Sequence, residues 1–464
     1  MTSTSQEAPR TTTSHPRVVL AILCLTQLLL TLDDNVVNIA LPTIQRELGF
    51  SGPSLVWVVN TYMLAFGGFL VLGGRLGDRY SLVRTFAAGT AVFALASLLS
   101  GLAAEPWQLI GARALQGLGA ALVAPAVLGL LTLVFTEPAA RAKAFAVWGA
   151  TAVTGALAGL ILSGVITEYW SWRWVFFINL PVAALALVLL PRLLRGIHRP
   201  HGDQALNWGG AALLTCGLAL LVYALLSFGG DGGRPAVAAA CAVLSLALLA
   251  AFAVDQRRSA NPLVTKGVFA SPVRARALVA AVLLSAATFQ GFLVLTLYLQ
   301  NGLGFTPLEA GLGYVPFALG SLTGVKAGER ATVRFTAGRV LTVACAGTAA
   351  GALLLSWAAS REFGYAGLLP GILLFAIGVG AGLPAAASAA ARDADERTSG
   401  VIASLVNSSQ QLGGAVGLAL TGLSLGDSGH GFGAALAVCA AAALLACGWA
   451  AVVARREPLV SPSS

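Results

Sequence analysis

Two adjacent aspartates, Asp33 and Asp34, interrupt the first long apolar run of the chain, Val18–Pro42. A run of this length predicts a helix that crosses the hydrocarbon core of a bilayer. A charged carboxylate near the middle of such a helix costs about 2.5–3.5 kcal/mol even on lenient insertion scales. We therefore expect a protein with this pair in its first span to use at least one of the two groups.

The composition predicts an all-α integral membrane protein. Of its 464 residues, 57% are hydrophobic and 10% are charged, against about 25% charged residues in soluble domains. Alternating β-barrel periodicity is absent, and helices are the other way to satisfy backbone groups in lipid. The fourteen predicted spans are 18–41, 54–74, 85–103, 108–135, 143–166, 174–194, 208–228, 236–254, 278–299, 309–326, 338–358, 364–390, 400–424 and 432–453.

The basic residues favour a topology with both termini in the cytoplasm. With that orientation, 23 of the 28 Lys and Arg residues lie in cytoplasmic segments or at the cytoplasmic ends of spans, and one, Arg113, lies inside a span away from its ends. The remaining four, in outside loops, are Arg46, Arg173, Arg234 and Arg361. This asymmetry follows the positive-inside rule. The formal charge of +9 is thus spread over short loops that face anionic lipid, and we expect no nucleic-acid partner.

Residues that carry enzymatic or metal chemistry are not grouped in this sequence. All six cysteines fall inside predicted spans without a CxxC pair, which is typical of small packing residues. The four histidines lie outside the spans, and no Ser-His-Asp or metal-ligand pattern emerges. We expect neither an enzyme nor a metal or other cofactor.

Two polar segments divide the chain into parts. Arg195–Asn207 follows span six and Asp255–Arg276 follows span eight, so spans seven and eight form an inserted pair between two six-span halves. The segments Gly73–Arg84 and Gly324–Arg334 lie in equivalent loops of the two halves, and each carries an acid–Arg pair and a later arginine. Parallel six-span repeats are a known transporter architecture. The predicted parts are a cytoplasmic tail (1–17), an N-terminal bundle (18–195), the inserted helices (196–256), a C-terminal bundle (257–455) and a second tail (456–464).

Helical spacing separates the two aspartates, because successive residues differ by about 100° around a helix. One polar stripe along the first span consists of Gln27, Thr31, Asp34 and Asn38. Asp33 points elsewhere, so periodicity predicts that Asp34 lines a water-accessible path and that Asp33 is more desolvated. Desolvation favours the neutral form of a carboxyl group and suits it to proton exchange near neutral pH. The alternative is that both groups lie near the interface and reach water.

Arg113, in the segment Leu109–Ala121, is the one basic residue inside a predicted span and away from its ends. A buried guanidinium does not readily lose its proton, so it needs a carboxylate, backbone carbonyls or water as a partner. Gln116, one turn further on, places an amide on the same side. A structural arginine tied only to carbonyls is the alternative.

The loop Gly73–Arg84 carries an acid among basic residues. Arg75 is interpreted as ordinary positive-inside anchoring. For Asp78, which is unusual in such a basic loop, we predict a gating contact with a neighbouring helix end or arginine.

Five segments resemble the major facilitator superfamily, in particular its fourteen-span drug:proton antiporter branch. LDDNVVNIALP (Leu32–Pro42) resembles the first-span signature LDxTVVNVALP, and RALQGLGAA (Arg113–Ala121) matches RxxQGxGAA. The other three similar segments are WSWRWVFFINLP (Trp170–Pro181), YLQNGLGFTPLEAGLGYVP (Tyr298–Pro316) and SGVIASLVNSSQQLGGAVG (Ser399–Gly417). The similarity runs nearly from end to end and is silent on the substrate.

Two family motifs are only partly kept. The loop motif GxLaDRxGRR retains Gly74, Leu76, Asp78 and Arg79 but loses its later glycine and paired basic residues, of which Arg84 is the nearest substitute. The fifth-span motif GxxxGPxxGG reads GALAGLILSG, in which Leu160 replaces the proline and Ser163 replaces a glycine. Its retained glycines are Gly155, Gly159 and Gly164.

The resemblance implies export of a small organic compound across the plasma membrane in exchange for protons, driven by the proton gradient alone. It aligns the family's coupling acid with Asp33, whose protonation Arg113 would tune. The three retained glycines would form a close helix contact, and Gly74, Asp78, Arg79 and Arg84 a cytoplasmic gate. Candidates for the substrate cavity are the polar stripe of the first span (Gln27, Thr31, Asp34 and Asn38), Gln116, and the second-half residues Gln300, Asn407 and Gln410. Helix–helix hydrogen bonds are an equal alternative for the last three.

Two other functions are compatible with the sequence. One is proton-coupled uptake of a small solute, which the missing proline in the fifth span favours slightly. The other is a membrane receptor or scaffold that transports nothing. In each case the lipid bilayer is the surrounding partner, and we expect the chain to act as a monomer.

Overall fold

The computed structural model describes residues 15–194, 206–228, 235–264, 271–393, 399–425 and 431–456, and these residues form helices and short connections without a β-strand. Most of the two predicted tails (residues 1–14 of 1–17 and 457–464 of 456–464) and most of the polar segment Arg195–Asn207 lie outside the described residues. A π-helical turn, Tyr298–Gly302, extends α11. The α-helices are α1 Pro16–Leu48, α2 Gly52–Leu55, α3 Trp57–Arg79, α4 Leu82–Leu102, α5 Pro106–Val134, α6 Pro138–Tyr169, α7 Trp174–Phe177, α8 Asn179–Leu193, α9 Trp208–Phe228, α10 Pro235–Arg258, α11 Pro272–Leu297, α12 Pro307–Gly313, α13 Val315–Arg334, α14 Ala337–Ser360, α15 Tyr365–Ala391, α16 Ser399–Leu425 and α17 Phe432–Arg456.

Every predicted span overlaps a helix or a pair of consecutive helices. Within the described part of the chain, eleven helical segments are long and apolar enough to cross a membrane. The three predicted spans outside that set correspond to α6, α13 and α16. Four charged residues, from Lys326 to Arg334, interrupt the second half of α13, and the polar run Asn407–Gln411 interrupts α16. The all-helical class is confirmed, whereas the length and composition of the helices do not establish the count of fourteen spans.

The helices pack mainly within two groups. In the first, α3 and α4 both pack on α5, α1 packs on α6, and α8 packs on α4. In the second, α14 packs on α15 and α17, α13 packs on α15, and α11 packs on α16 and α17. The helices α9 and α10 pack on each other, and α9 also contacts α3 and α16. Most direct contacts between the two groups join α3 to α16 and α6 to α12, and α1 adds smaller ones with α11 and α12.

The two groups meet at the end of the molecule where α1 ends and α3 begins, which we call the far end. Here the Gln300 amide donates a hydrogen bond to the Ile39 carbonyl at 3.0 Å. The backbone N–H of Leu308 at the start of α12 donates to the Glu168 carboxylate at 3.3 Å. The far end is thus held closed by hydrogen bonds that join the two groups.

The three glycines retained in α6 pack against two different partners. A Cβ at Gly155 would lie 3.0 Å from Leu28, and one at Gly159 would lie 3.3 Å from Leu32, both on α1. Gly164 instead faces α12, where a Cβ would lie 2.8 Å from the Pro307 carbonyl oxygen. The close helix contact therefore joins α6 to α1 and also joins the two groups of helices at the far end.

Two replacements in the fifth-span motif take part in these contacts. Ser163, in place of a glycine, donates a hydrogen bond from its hydroxyl to the Val36 carbonyl of α1 at 2.5 Å. Leu160, in place of the proline, is buried, and its carbonyl oxygen lies against Gly311 of α12. Since a leucine keeps the helix regular where a proline would bend it, α6 passes this point without interruption.

Replacing Gly164 tests the α6–α12 contact. The substitution Gly164→Val forces side-chain atoms against the backbone of α12, and overpacking of this kind costs about 1–3 kcal/mol. We expect a lower melting temperature in detergent, measured by intrinsic fluorescence. The matched control is Gly149→Val on the same helix, where a Cβ meets no atom within 4 Å and the melting temperature should hold. Equal melting temperatures for the two variants would contradict this packing.

Candidate functional site

A fully buried ion pair joins α1 to α5. The guanidinium Nη1 of Arg113 lies 2.6 Å from Oδ2 of Asp33, and neither side chain is exposed. Arg113 also donates from Nε to the Val58 carbonyl of α3 at 3.1 Å. Both partners that the sequence predicts for a buried arginine, a carboxylate and a backbone carbonyl, are present here. Because a charge out of water is costly unless it is paired, each member depends on the other.

Amide groups complete the hydrogen bonding of Asp33. Its Oδ1 accepts from Gln116 Nε2 at 2.7 Å and from Asn179 Nδ2 at 2.8 Å. Ser97 Oγ in turn accepts from Gln116 at 2.9 Å and from Asn179 at 3.4 Å. Gln116 also accepts from Nη1 of Arg113 at 2.7 Å through its Oε1. The cluster draws on α1, α3, α4, α5 and α8, so a shift of any of these helices changes it.

Aromatic rings cover the guanidinium. The Arg113 carbon Cζ lies 4.3 Å from the centre of the Tyr62 ring and 5.8 Å from that of Phe176. Tyr62 belongs to α3 and Phe176 to the short helix α7, which bends into α8 just before Asn179. A cation over a ring face is stabilised by the ring quadrupole, most strongly when water is absent. The rings therefore exclude water while still favouring the charge on Arg113.

Asp34 faces the other group of helices. It is less buried than Asp33, and its carboxyl group interacts with Gln411 of α16. Among the described residues, Oδ1 of Asp34 and Oε1 of Gln411 are buried and accept no hydrogen bond. Arg113 has an unpaired donor of its own, since its Nη2 is buried and donates to no described residue. Both carboxylate oxygens of Asp33 thus accept hydrogen bonds, whereas polar atoms of Asp34, Gln411 and Arg113 remain unpaired among the described residues.

The rest of the predicted polar stripe is bonded within α1. Gln27 donates from its amide to the Thr31 hydroxyl at 3.1 Å, and the buried Asn38 donates to the backbone carbonyl of Asp34 at 3.1 Å. These bonds span four residues each, as the helical spacing predicts. Gln116, predicted for the substrate cavity, lies instead against Asp33 and is fully buried.

The second-half candidates occupy different places. Gln300 binds the Ile39 carbonyl at the far end, as an inter-helix hydrogen bond. Asn407 and Gln410 are half-buried on α16. Gln411, the next residue along, is the one that meets Asp34. Its neighbour across the interface is Gly67 of α3, where a Cβ would lie 3.0 Å from the Gln411 side chain.

The predicted cytoplasmic gate lies where α3 ends and α4 begins. Gly74 faces Pro125 of α5, while Asp78 and Arg84 are exposed. The Arg79 guanidinium lies 5.6 Å from the Tyr80 ring centre. These residues are neighbours around one helix end, as the motif predicts.

Arg75 makes the more extensive contact at this helix end. It donates from Nη2 to the carbonyls of Pro262 and Leu263, the latter at 2.9 Å, in the segment that follows α10. Leu263 is buried beside Leu72 of α3 and Ala211 of α9. Arg75 therefore ties the end of α3 to the chain that leads into the second group of helices, beyond the anchoring interpretation.

Sequence reasoning missed three residues of the site. Asn179 lies within the segment WSWRWVFFINLP and was assigned no role, and Ser97 is an isolated hydroxyl in an apolar helix. Asn60 of α3 is fully buried, with neither amide atom hydrogen-bonded to a described residue. It lies two turns from Gly67 and shares its face, towards α16. Buried amides at such positions were the available signal.

Comparisons with known proteins agree with this architecture. A puromycin resistance protein of Streptomyces alboniger is 42% identical over 405 residues, which cover 86% of this chain and 80% of that protein. The cephamycin export protein CmcT of Amycolatopsis lactamdurans is 39% identical over 90% of this chain and 87% of its own length. A crystal structure of a POT family transporter in complex with 5-aminolevulinic acid has a TM-score of 0.71 at 15% identity, covering 94% of this chain and 96% of that one, which bears on the fold alone.

The sequence profile of the Major Facilitator Superfamily matches residues 23–418. The chain therefore belongs to the major facilitator superfamily and is a multi-pass membrane transporter. The resemblance found in the sequence is confirmed, and the family membership places the chain among transporters rather than enzymes.

The Asp33–Arg113 pair can be tested through stability. Asp33→Leu leaves a buried guanidinium without its carboxylate, which costs about 3–5 kcal/mol of unfolding free energy. The double variant Asp33→Leu/Arg113→Met removes both charges and should melt at a higher temperature than Asp33→Leu alone. The exposed acid Glu329 of α13 supplies a control, since Glu329→Gln should melt like the wild type. A double variant less stable than both single variants would contradict the pairing.

Proposed function

We propose that the chain exports small organic compounds across the plasma membrane in exchange for protons, by alternating access. In this proposal fourteen helices span the membrane with both termini in the cytoplasm. Residues 18–195 and 257–455 form the two six-helix bundles, and 196–256 supply the inserted pair. The charge asymmetry of the loops supports the orientation. The single observation that carries the proposal is the buried Asp33–Arg113 pair in a superfamily member.

The pair supplies a proton-sensitive contact inside the first bundle. When Asp33 takes up a proton it loses its charge, and Arg113 is left as a buried cation that needs another acceptor. The Val58 carbonyl and Gln116 already accept from Arg113, so its free Nη2 is the atom available for a new contact. Protonation of Asp33 thus changes where the Arg113 charge is balanced.

Asp34 offers an unpaired acceptor for the Nη2 donor of Arg113. Its charge interacts with that of Arg113, and its Oδ1 is free of hydrogen bonds to described residues. We infer that Arg113 is shared between the two carboxylates, and that protonation of Asp33 draws the guanidinium towards Asp34. Because Asp34 meets Gln411 of the second bundle, this exchange acts on the interface between the bundles. Proton uptake and helix rearrangement are coupled through one arginine.

The substrate is proposed to bind beside Asp34. The unsatisfied atoms of Asp34, Asn60 and Gln411 lie where α1, α3 and α16 meet, and unpaired buried polar atoms are stabilised by a ligand that bonds to them. Asn407 and Gln410 extend the polar surface on α16. With cytoplasmic termini, the closed far end is the outside, so the described state is closed to the outside. The names of the relatives make puromycin and cephamycin the first probes.

Everted membrane vesicles test the proposal directly. An acid interior should drive accumulation of a probe, chosen from puromycin and cephamycin as the compound to which expression confers resistance. Asp33→Asn should abolish the gradient-driven accumulation, because its amide cannot exchange a proton. Asp34→Asn should keep accumulation for some probes and lose it for others, because it alters the binding surface and leaves Asp33 in place.

The controls separate the rival functions. Vesicles that contain Arg361→Gln, a change at an exposed residue after α14 and away from the ion pair, should accumulate the probe as the wild type does. A proton-coupled uptake system would not accumulate the probe under an inside-acid gradient, and a receptor or scaffold would confer no resistance. Identical phenotypes for Asp33→Asn and Asp34→Asn would show that the division of roles between the two aspartates is wrong.

A further inference from the structure

An apolar groove of about 680 Å³ opens on the outer surface of the second group of helices. It forms because α13 and α14 both pack on α15 while barely touching each other. Its lining is almost entirely alanine, glycine and larger aliphatic side chains, with Phe335 and Arg339 at one end. On α14 it runs from Arg339 to Gly347, about 12 Å along the helix axis. The groove is therefore long and narrow, with one charged side chain.

The groove faces the membrane rather than the interface between the bundles. Val343 in its wall is 74% exposed and Phe335 is 51% exposed, although both lie on or beside a membrane-spanning helix. Such exposure of large apolar side chains in a bilayer means contact with lipid tails. Small residues in the floor, such as Gly347 and Ala381, leave space that a flexible hydrocarbon chain fills.

Basic residues surround one end of the groove. Arg339 lies in the first turn of α14, Arg334 is the last residue of α13, and Arg455, exposed, follows the lining residue Ala454 near the end of α17. The only acid in this part of the three helices is Glu329. A cationic rim at the mouth of an apolar groove is complementary to a phosphate headgroup attached to an acyl chain.

We propose that this groove binds an anionic phospholipid, with one acyl chain between α13 and α14 and the phosphate beside Arg339. The site lies away from the Asp33–Arg113 pair and does not depend on the transport proposal. It would fix a lipid against α15, the helix on which both α13 and α14 pack. The lipid thereby fills the space between two helices of the second bundle that do not support each other.

Native mass spectrometry of the purified, delipidated full chain tests the proposal. The probes are phosphatidylglycerol and phosphatidylcholine with identical acyl chains. We expect the first phosphatidylglycerol to bind more tightly than the first phosphatidylcholine. Arg339→Gln should weaken phosphatidylglycerol binding about fivefold, the factor that corresponds to ~1 kcal/mol for one basic residue near a membrane surface, and should leave phosphatidylcholine unchanged.

A second variant fills the groove itself. A Cβ at Gly347, a lining residue, lies at ordinary contact distance, 3.8 Å from Gly378, so the side chain of Gly347→Leu begins without a clash and occupies groove volume. It should weaken both lipids about 15-fold, which corresponds to two displaced methylenes at ~0.8 kcal/mol each.

Matched controls carry the same chemical changes elsewhere. Arg361→Gln removes an exposed arginine at the opposite end of α14, and Gly448→Leu adds the same volume to α17 where a Cβ meets no atom within 4 Å. Both should bind the lipids as the wild type does. The proposal is overturned if phosphatidylcholine binds as tightly as phosphatidylglycerol, or if either groove variant behaves like its control.

Discussion

The structure depends on keeping one arginine charged inside a membrane. Arg113 has no access to water and does not readily lose its proton, so the first bundle is arranged around it. The Asp33 carboxylate of α1 neutralises its charge. A backbone carbonyl of α3 and the Gln116 amide of its own helix accept hydrogen bonds from it, and the Tyr62 ring covers the face of the guanidinium. Because the partners come from separate helices, the ion pair also holds those helices together. A change in the charge of Asp33 therefore alters an interaction that joins several helices of this bundle.

The second aspartate extends this dependence to the other half of the molecule. Asp34 lies one residue further along α1, which turns its carboxyl group towards Gln411 instead of Asn179. The two neighbouring carboxylates thus contact two different groups of helices, and the charge of Arg113 interacts with both carboxylates. At the far end, Gly164 and Gln300 close the bundles on each other, and at the other end Arg75 ties α3 to the segment after α10. The ion pair therefore lies between two places where separate parts of the chain are joined.

Much of this arrangement follows from local sequence rules. Apolar run length predicted the helices, and the 100° step between residues predicted that Asp33 is the more buried aspartate, as it is. The partners of the pair were harder to predict, because Asn179 and Ser97 are distant in sequence and become neighbours only after α4 and α8 pack. Gln116 was misplaced for a similar reason, since one helix face can serve either a cavity or a buried carboxylate. The sequence also predicted spans at α13 and α16, which the eleven long apolar segments do not include because polar and charged residues interrupt both helices.

The most direct test of the account is whether substrate binding releases a proton from Asp33. Purified protein in a weakly buffered solution with a pH-sensitive dye would be mixed with the puromycin or cephamycin probe that it binds. The account predicts acidification of the medium with the wild type and none with Asp33→Asn, with binding of the probe confirmed separately by tryptophan fluorescence. Proton release from Asp33→Asn equal to that of the wild type would contradict the assignment of Asp33 as the coupling acid.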